Sequence, residues 1–367
     1  MISQVVFKHL AFPGPDSIRE AIGDIIDRLW LHSELVGKRS LLKINAMSDE
    51  LFPGRNTSPW VLDGALSELQ SRFPGTEFLI VDADVAGSSQ FDRACEQWGY
   101  RAIAKRRGVR ILNLSESSVV TVPTSNACCP SLEFPEIVLK ADSIINLPVV
   151  KTHVLTGISC ALKNHWGLLP RLRYQYHPFV HEVIAEINRQ IQHTIATIVD
   201  GTICLEGSGP KTGVPRVCNV LIAGRDRVAV DAAVLDFIEM DPALAPHVKK
   251  AEEYGIGRTA FEIVGDELVR MRFQMPKKST DVVSQIESTL RKVPGLGPLL
   301  YRPQIARVLG FIGTQYNRLV WMNLFGKRHL HRLRHDPQYG SEFWPLPQAK
   351  QALSRRPCQD GSHAGTA

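Results

Sequence analysis

The sequence lacks the features of a membrane-spanning, disulfide-bonded or secreted protein. No apolar run reaches the roughly 18 residues of a transmembrane helix. The seven cysteines are scattered, odd in number and without a CxxC pair, so no disulfide framework is expected. The opening MISQVVFKHLAFPGPDS has no basic start followed by an apolar run, as a secretory signal would. We therefore expect a reduced, cytoplasmic protein.

Acidic residues are absent from one long stretch, residues 288–335. This stretch carries nine Lys and Arg residues, whereas the whole chain of 367 residues has a net charge of +6. The basic charge is therefore concentrated there, which indicates an anionic partner. Trp321 and Phe325, followed by Arg328, suit peripheral contact with the inner face of a membrane. The alternative is a helical cap on the main domain with a solvated basic end, and no nucleic-acid-binding motif accompanies the charge.

Apolar runs alternate with amphipathic helical patterns through most of the chain. SLLKINA, EFLIVDAD and TIATIVDG are typical of buried strands, and Ser58 before Pro59 marks a helix start. This order predicts an α/β fold with a mostly parallel open sheet and flanking helices. We assign residues 1–275 to that domain, 276–347 to a basic amphipathic helical extension and 348–367 to a disordered tail.

The first candidate site stretch is VVKTHVLTGISCALKNHWG, residues 149–167. Lys151 and His153 follow an apolar strand, and open α/β sheets bind ligands at the carboxyl ends of their strands. Thr156 and Gly157 are predicted to begin a helix, and the free N–H groups of such a start attract an anion. This stretch is therefore predicted to bind an anion.

Lys163 and Asn164 lie about two turns further along that predicted helix. Lys163 either folds back toward the anion, or it lies near the C-terminus of a helix that ends at Gly167, where the helix dipole favours a positive charge. Neither HExxH nor a cysteine pair accompanies the nearby histidines, so no metal site is predicted.

The second stretch is IVDGTICLEGSGPKTG, which supplies the carboxylates Asp200 and Glu206. Gly207 and Gly209 allow close approach of the backbone to a ligand. The stretch is not a phosphate-binding Walker loop, because GxxxxGK[ST] is not matched. Together with the positive groups of the first stretch, the carboxylates would form an acid/base site. Alternatively, both carboxylates are structural and stabilise the turn.

Two further features concern strand and helix ends. Lys43 and Asn45 alternate in the strand LLKINA, and a lysine there is costly to bury unless its ammonium reaches a partner. Asp226 precedes the helical pattern RVAVDAAVLDFI and is predicted to be its N-cap.

Three motifs in order carry a family resemblance: INLPVVKTHVLTGISCALKNHWGLLP, DGTICLEGSGPKTG and AGRDRVAVDAAVLDFIEMDP. Over residues 38–265 the chain resembles the family called domain of unknown function 362. The resemblance implies site residues at Lys43, Asn45, Lys151, His153, Lys163, Asn164, Asp200 and Glu206. Many members carry ferredoxin-like iron–sulfur modules, but this chain has no CxxCxxCxxxC, so we expect no intrinsic cluster.

These observations predict an enzyme that acts on a small anionic molecule by isomerase-like acid/base chemistry, or by redox chemistry fed by a separate electron-transfer protein. No cofactor is identified. The predicted catalytic residues are Lys151, His153, Lys163, Asp200 and Glu206. The predicted substrate-binding residues are Lys43, Asn45, Thr156, Gly157, Asn164, Gly207 and Gly209. The alternative is a non-catalytic protein that binds a membrane surface or an iron–sulfur protein through residues 288–335.

Overall fold

The computed structural model describes residues 2–11, 13–85, 90–275 and 302–335. The other parts of the predicted basic extension, and the predicted disordered tail, lie outside these residues.

Strands and helices alternate along the described chain. The strands are β1 (Ser3–His9), β2 (Arg39–Lys43), β3 (Glu77–Asp82), β4 (Arg110–Asn113), β5 (Val119–Pro123), β6 (Ser131–Pro135), β7 (Ser143–Asn146), β8 (Val149–His153), β9 (Gly157–Ser159), β10 (Thr194–Glu206), β11 (Val214–Gly224) and β12 (Phe261–Gly265). The α-helices are α1 (Pro15–Arg28), α2 (Ser33–Val36), α3 (Pro59–Arg72), α4 (Phe91–Gln97), α5 (Tyr100–Arg107), α6 (Glu136–Lys140), α7 (Ala161–Asn164), α8 (Val180–Gln190), α9 (Arg227–Phe237), α10 (Pro246–Glu253), α11 (Pro303–Tyr316) and α12 (Lys327–Arg334). A 3₁₀ segment spans Arg171–Phe179, and a π-helical segment, Asn317–Gly326, joins α11 to α12.

The main sheet is mixed but mostly parallel. Its strand order is β12-β1-β11-β10-β7-β2-β3-β4, and β8 pairs with both β10 and β9. The strands from β10 to β4 in this order run parallel, whereas β11 is antiparallel to both β1 and β10. The strand β5 lies outside this sheet and pairs with β6 in a separate hairpin. The predicted fold class is thus confirmed.

Helices cover both faces of the parallel strands, which explains why those strands are apolar without alternation. Successive residues of a strand point to opposite faces. Leu41 accordingly packs in one core cluster with α8 and α9, whereas its neighbour Leu42 packs in the other with α1 and α3. Polar residues are therefore expected at the ends of these strands, where the flanking helices no longer cover the sheet.

The carboxyl ends of three neighbouring parallel strands set the position of the site. In the strand register Lys43 of β2 lies beside Asn146 of β7 and Val81 of β3. The next residue of β3 is Asp82, so the ends of the three strands bring an ammonium, a carboxamide and a carboxylate together. The chain then turns at Pro148 into β8, which pairs with β10.

The predicted helix start at Thr156–Gly157 is wrong. The chain instead turns back there, and β9 pairs antiparallel with β8. The short helix α7 begins at Ala161. Its first N–H groups, those of Ala161 and Leu162, donate to the buried carboxylate of Asp231 over 2.7 and 3.0 Å. The anion that this helix end attracts is therefore a side chain of the protein itself.

Asp226 begins α9, as predicted. Its Oδ1 accepts from the N–H groups of Val228 and Ala229 over 2.9 and 3.2 Å. Its Oδ2 accepts from the Ser3 hydroxyl over 2.7 Å and so also ties the helix to β1. This structural use accounts for the carboxylate without a ligand.

The C-terminal helical segment, residues 302–335, packs on the loop that follows β2. Trp321 is buried against Phe52, with ring centres 5.5 Å apart, rather than placed at a membrane interface as its sequence context suggested. Asn317 donates to Glu50 over 2.7 Å, and Arg318 donates to Asp49 over 2.8 Å. Among the described residues, no helix has both the length and the apolar character needed to cross a membrane.

Candidate functional site

A cavity of about 170 Å³ opens at the carboxyl ends of β2, β3 and β8. Its volume is below the roughly 300–1,000 Å³ of pockets for drug-sized ligands, so it suits a small molecule. It is lined by Lys43, Asn45, Met47, Asp82, Ala83, Val85, His153, Ser159, Lys163, Asn164, Trp166, Gly167, Arg173, His177 and Pro210.

A buried ion pair forms the base of the cavity. The Lys43 ammonium lies 3.0 Å from Asp82 Oδ1 and also donates to the Ile44 carbonyl over 2.6 Å. Burial lowers the pKa of Lys43, and the Asp82 charge acts in the opposite direction. Asp82 also accepts the N–H groups of Ala46 and Ala83, both over 2.8 Å. Its charge is therefore already balanced within the protein.

Gly167 packs directly against this ion pair. A Cβ atom at Gly167 would lie 2.4 Å from Asp82 Oδ1 and 2.7 Å from Lys43 Nζ. Such distances are far inside van der Waals contact, so the site requires a residue without a side chain here.

Three asparagines form a connected amide network beside the ion pair. Asn45 Nδ2 donates to Asn164 Oδ1 over 3.0 Å, and Asn164 Nδ2 donates to Asn146 Oδ1 over 2.7 Å. Asn146 Nδ2 in turn donates to the Ala161 carbonyl over 2.9 Å. Because both ends of each amide are bonded, the network fixes the amide orientations and holds α7, which carries Lys163, against the strand ends.

Lys151 lies behind the cavity wall and does not line the cavity. Its side chain is 1% exposed, and its Nζ donates to the Asn45 amide oxygen and, over 2.7 Å, to the Arg55 carbonyl. Within the described residues it has no carboxylate partner. Burial, with the positive charges of Lys163 and Lys43, lowers its pKa to about 7. Its Nζ also contacts Met47 Sδ over 3.4 Å.

Lys163 lines the cavity and is partly buried. Its Nζ lies 5.4 Å from the centre of the Trp166 ring, and no described residue forms a hydrogen bond or ion pair with it. Burial and the nearby Arg173 lower its pKa to about 8. Lys163 is thus an amine with a pKa of about 8 that faces the cavity.

His153 brings a neutral imidazole to the same cavity. Its Nδ1 accepts the Leu155 N–H over 3.1 Å, so the proton of the neutral ring is on Nε2. Burial first, and then the positive charge of Lys163, lower the pKa of His153 well below its ordinary value. The ring is therefore a hydrogen-bond donor through Nε2 at neutral pH.

Some lining residues were missed by sequence reasoning, notably Asp82, Trp166, Arg173 and His177. Arg173 is buried and donates to the Leu169 carbonyl over 3.1 Å. Asp82 ends an apolar strand just as Lys43 does, and this shared pattern could have identified it. The 3₁₀ segment with Arg173 and His177 has no periodic pattern that would place it over the sheet edge.

The two predicted carboxylates, Asp200 and Glu206, lie away from the cavity lining. Asp200 Oδ2 accepts the Ser58 N–H over 2.6 Å and so holds the start of α3. Glu206 Oε2 pairs with Arg216 at 3.0 Å and accepts the Gln274 N–H at the same distance. Both carboxylates therefore stabilise the fold around the site, and neither is placed opposite Lys163.

The remaining predicted binding residues, Thr156, Gly157, Gly207 and Gly209, also do not line the cavity. Gly207 accepts a hydrogen bond from Thr152 Oγ1 over 2.7 Å. A Cβ atom at Gly209 would lie 2.0 Å from the Thr152 carbonyl oxygen. The glycine turn thus packs closely along β8, and the neighbouring Pro210 reaches the cavity.

The described residues offer no arrangement suited to a metal ion or an iron–sulfur cluster. No three His, Cys, Asp or Glu side chains among them are grouped to hold a metal. All six cysteines in this part of the chain are free, and Cys95, Cys129 and Cys160 are separately buried in the core.

Comparisons with known proteins show the family of this chain. One similar protein is a thylakoid-associated protein of Synechocystis sp., 28% identical over 237 residues, which cover 62% of this chain and 71% of the relative. A similar solved structure is the lactate racemase apoprotein of Thermoanaerobacterium thermosaccharolyticum, with 12% identity and a TM-score of 0.40. That match covers 61% of this chain and 54% of the racemase, about half of its length. The model of the family described as Domain of unknown function (DUF362) matches residues 41–236, more than half of the chain, and the protein belongs to this family.

Proposed function

We propose that the protein is an enzyme that binds a small anion in the cavity and transfers a proton to or from it. The charge of the lining carries this proposal. Three cationic side chains line the cavity, Lys43, Lys163 and Arg173, against one carboxylate, Asp82. Since Asp82 already pairs with Lys43, Lys163 and Arg173 remain without a carboxylate partner among the described residues. An anion would supply that missing charge.

Lys163 is the proton-transfer group in this proposal. General acid–base catalysis is most efficient when the pKa of the group lies near the working pH, and the pKa of Lys163 is about 8. Its neutral form accepts a proton from the substrate, and its charged form returns one. His153 donates a hydrogen bond through Nε2 to the substrate, and Arg173 contributes positive charge that holds it.

Lys151 is a positioning residue in this proposal. It holds Asn45 and the Arg55 carbonyl, and Asn45 in turn orients Asn164. The positive charge of Lys163 is among the causes of the lowered pKa of Lys151. Binding of an anion beside Lys163 would therefore be felt by the buried amine behind the wall.

Solvent-deuterium incorporation tests the proposal without knowledge of the substrate. The protein is incubated in D₂O with a panel of short-chain carboxylates, and mass spectrometry follows the gain of deuterium at carbon. We expect exchange into at least one compound by the wild type. The Lys163→Met variant should lose it, and Lys105→Met, on the exposed surface of α5, should retain it. Exchange by Lys163→Met at the wild-type rate would refute the role of Lys163.

A further inference from the structure

The C-terminal helical segment, residues 302–335, exposes an unusual number of large apolar side chains. Seven of them within residues 308–325 are each at least 38% exposed: Val308, Phe311, Ile312, Leu319, Val320, Leu324 and Phe325. Apolar residues scattered singly on a surface need no explanation, but a concentration of this kind marks an interaction surface. We call these seven side chains the apolar face.

The apolar face is held in a fixed direction by the inner side of the same segment. Trp321 and Asn317 are buried, and Leu333 of α12 packs into the core of the α/β domain. Arg55 lies over the Trp321 ring, 5.3 Å from its centre. Because these contacts fix the inner side, the exposed side chains point away from the domain.

Basic side chains accompany the apolar face. Lys327, Arg328 and Arg332 are exposed and form no ion pair with any residue that the structure describes. No Asp or Glu occurs within residues 288–335 to offset them. Exposed apolar residues with adjacent uncompensated basic residues are the combination by which a helix binds the interface of an anionic bilayer.

We propose that the segment 302–335 is a docking surface for an anionic lipid bilayer. The apolar face enters the boundary between headgroups and acyl chains, and the basic side chains of α12 bind the lipid phosphates. Neither contact requires the fold to open, since the inner side of the segment keeps its packing. The charge complementarity favours lipid over an apolar patch on a second protein, because an apolar patch alone would leave the basic residues without partners.

Vesicle sedimentation tests the proposal with the full chain. We expect wild-type protein to bind phosphatidylcholine vesicles that contain phosphatidylserine, and to bind pure phosphatidylcholine vesicles at least tenfold more weakly. Added salt should weaken binding to the anionic vesicles. The proposal is wrong if the wild type binds neither kind of vesicle or binds both equally. Absence of binding would mean that another part of the chain, or a second copy of it, covers the apolar face.

Two sets of variants separate the apolar and basic contributions. Leu319→Gln combined with Leu324→Gln should abolish most binding. Val119→Gln combined with Val120→Gln, a control pair that is 46% and 40% exposed on β5, should leave binding unchanged. Equal binding by the two double variants would overturn the assignment of the apolar face. Circular dichroism and the thermal midpoint check that both are folded.

The charge variant combines Lys327→Gln, Arg328→Gln and Arg332→Gln. Each basic residue near an anionic surface contributes about a fivefold gain in binding, so the triple change should weaken binding on the order of a hundredfold. Wild-type binding by this variant would contradict the proposed role of the basic residues.

Discussion

Replacement of Lys163 by methionine should stabilise the fold at neutral pH and remove the proposed chemistry. Methionine keeps an unbranched apolar chain against Trp166 but carries no charge. The pKa of about 8, against an ordinary value of 10.5, corresponds to a cost of about 3.4 kcal/mol for the charged form. Because Lys163 is only partly buried, screening by solvent reduces this figure, and we expect a gain of about 2 kcal/mol.

The effect of Lys163→Met on the free energy of unfolding depends on pH. Below pH 8 Lys163 is charged in both the folded and unfolded states, so the wild type bears the full cost. Between about pH 8 and 10.5 the folded protein releases a proton that the unfolded chain keeps, so the wild type gains stability as the pH rises. The advantage of the Lys163→Met variant should therefore be largest near pH 7 and should disappear toward pH 10.5.

Urea unfolding at pH 7 and pH 10 measures this difference. Lys105→Met serves as the control, because Lys105 is exposed on α5 and its replacement should change the free energy of unfolding little at either pH. The reasoning is refuted if Lys163→Met destabilises the protein at pH 7, or if its effect is the same at both pH values.

Three further substitutions test the surroundings of the site by urea unfolding and by calorimetric titration with short-chain carboxylates. Gly167→Ala should lower the free energy of unfolding by about 1–3 kcal/mol and weaken anion binding, because the added methyl group would displace the buried ion pair. The control Gly75→Ala should change neither, because a Cβ atom at Gly75 meets no other atom within 4 Å. Asn146→Ala should cost about 2 kcal/mol and weaken binding, because it leaves polar partners in the amide network unsatisfied. Glu206→Gln should cost about 1 kcal/mol through its weakened contact with Arg216, and undiminished stability or altered binding would contradict the placement of Glu206 outside the site.

The sheet and part of its edge could be predicted because strand ends leave a local pattern. An apolar run interrupted by Lys43 predicted a strand whose ammonium needs a partner, and the structure supplies Asp82. The same reasoning applied to EFLIVDAD would have found Asp82 itself. Parallel pairing then brings the two strand ends together without any information beyond strand order.

The path of the chain beyond β8 could not be predicted in the same way. Thr156 and Gly157 have the composition of a helix start, but Gly157 adopts a φ of +71°. A Cβ atom at this position would lie 2.2 Å from the Leu244 carbonyl oxygen. The turn therefore depends on a contact with a segment almost ninety residues away, which no local pattern reveals. The helix end that was expected to bind an external anion is likewise filled by Asp231, seventy residues along the chain.

The roles of the predicted carboxylates also depend on distant contacts. Glu206 ends the strand β10, whereas Asp200 lies within it. Asp200 accepts a hydrogen bond from the start of α3, and Glu206 pairs with Arg216. The sequence shows that a carboxylate lies in or after a strand. Whether that carboxylate stabilises the fold or binds a ligand depends on its partner, which is distant in the sequence. Arg173 shows the converse, since it reaches the cavity from a segment with no recognisable pattern.

Lys163 is proposed to face the cavity and to bind an anion there, and calorimetric titration tests this role most directly. Wild-type protein, Lys163→Met and Lys105→Met are titrated at pH 7 with the same panel of short-chain carboxylates. A hydrogen bond to a charged group contributes about 1.5–3 kcal/mol, so Lys163→Met should weaken binding tenfold or more while Lys105→Met binds as the wild type does. Equal affinities of the wild type and Lys163→Met for every carboxylate that binds would contradict the claim.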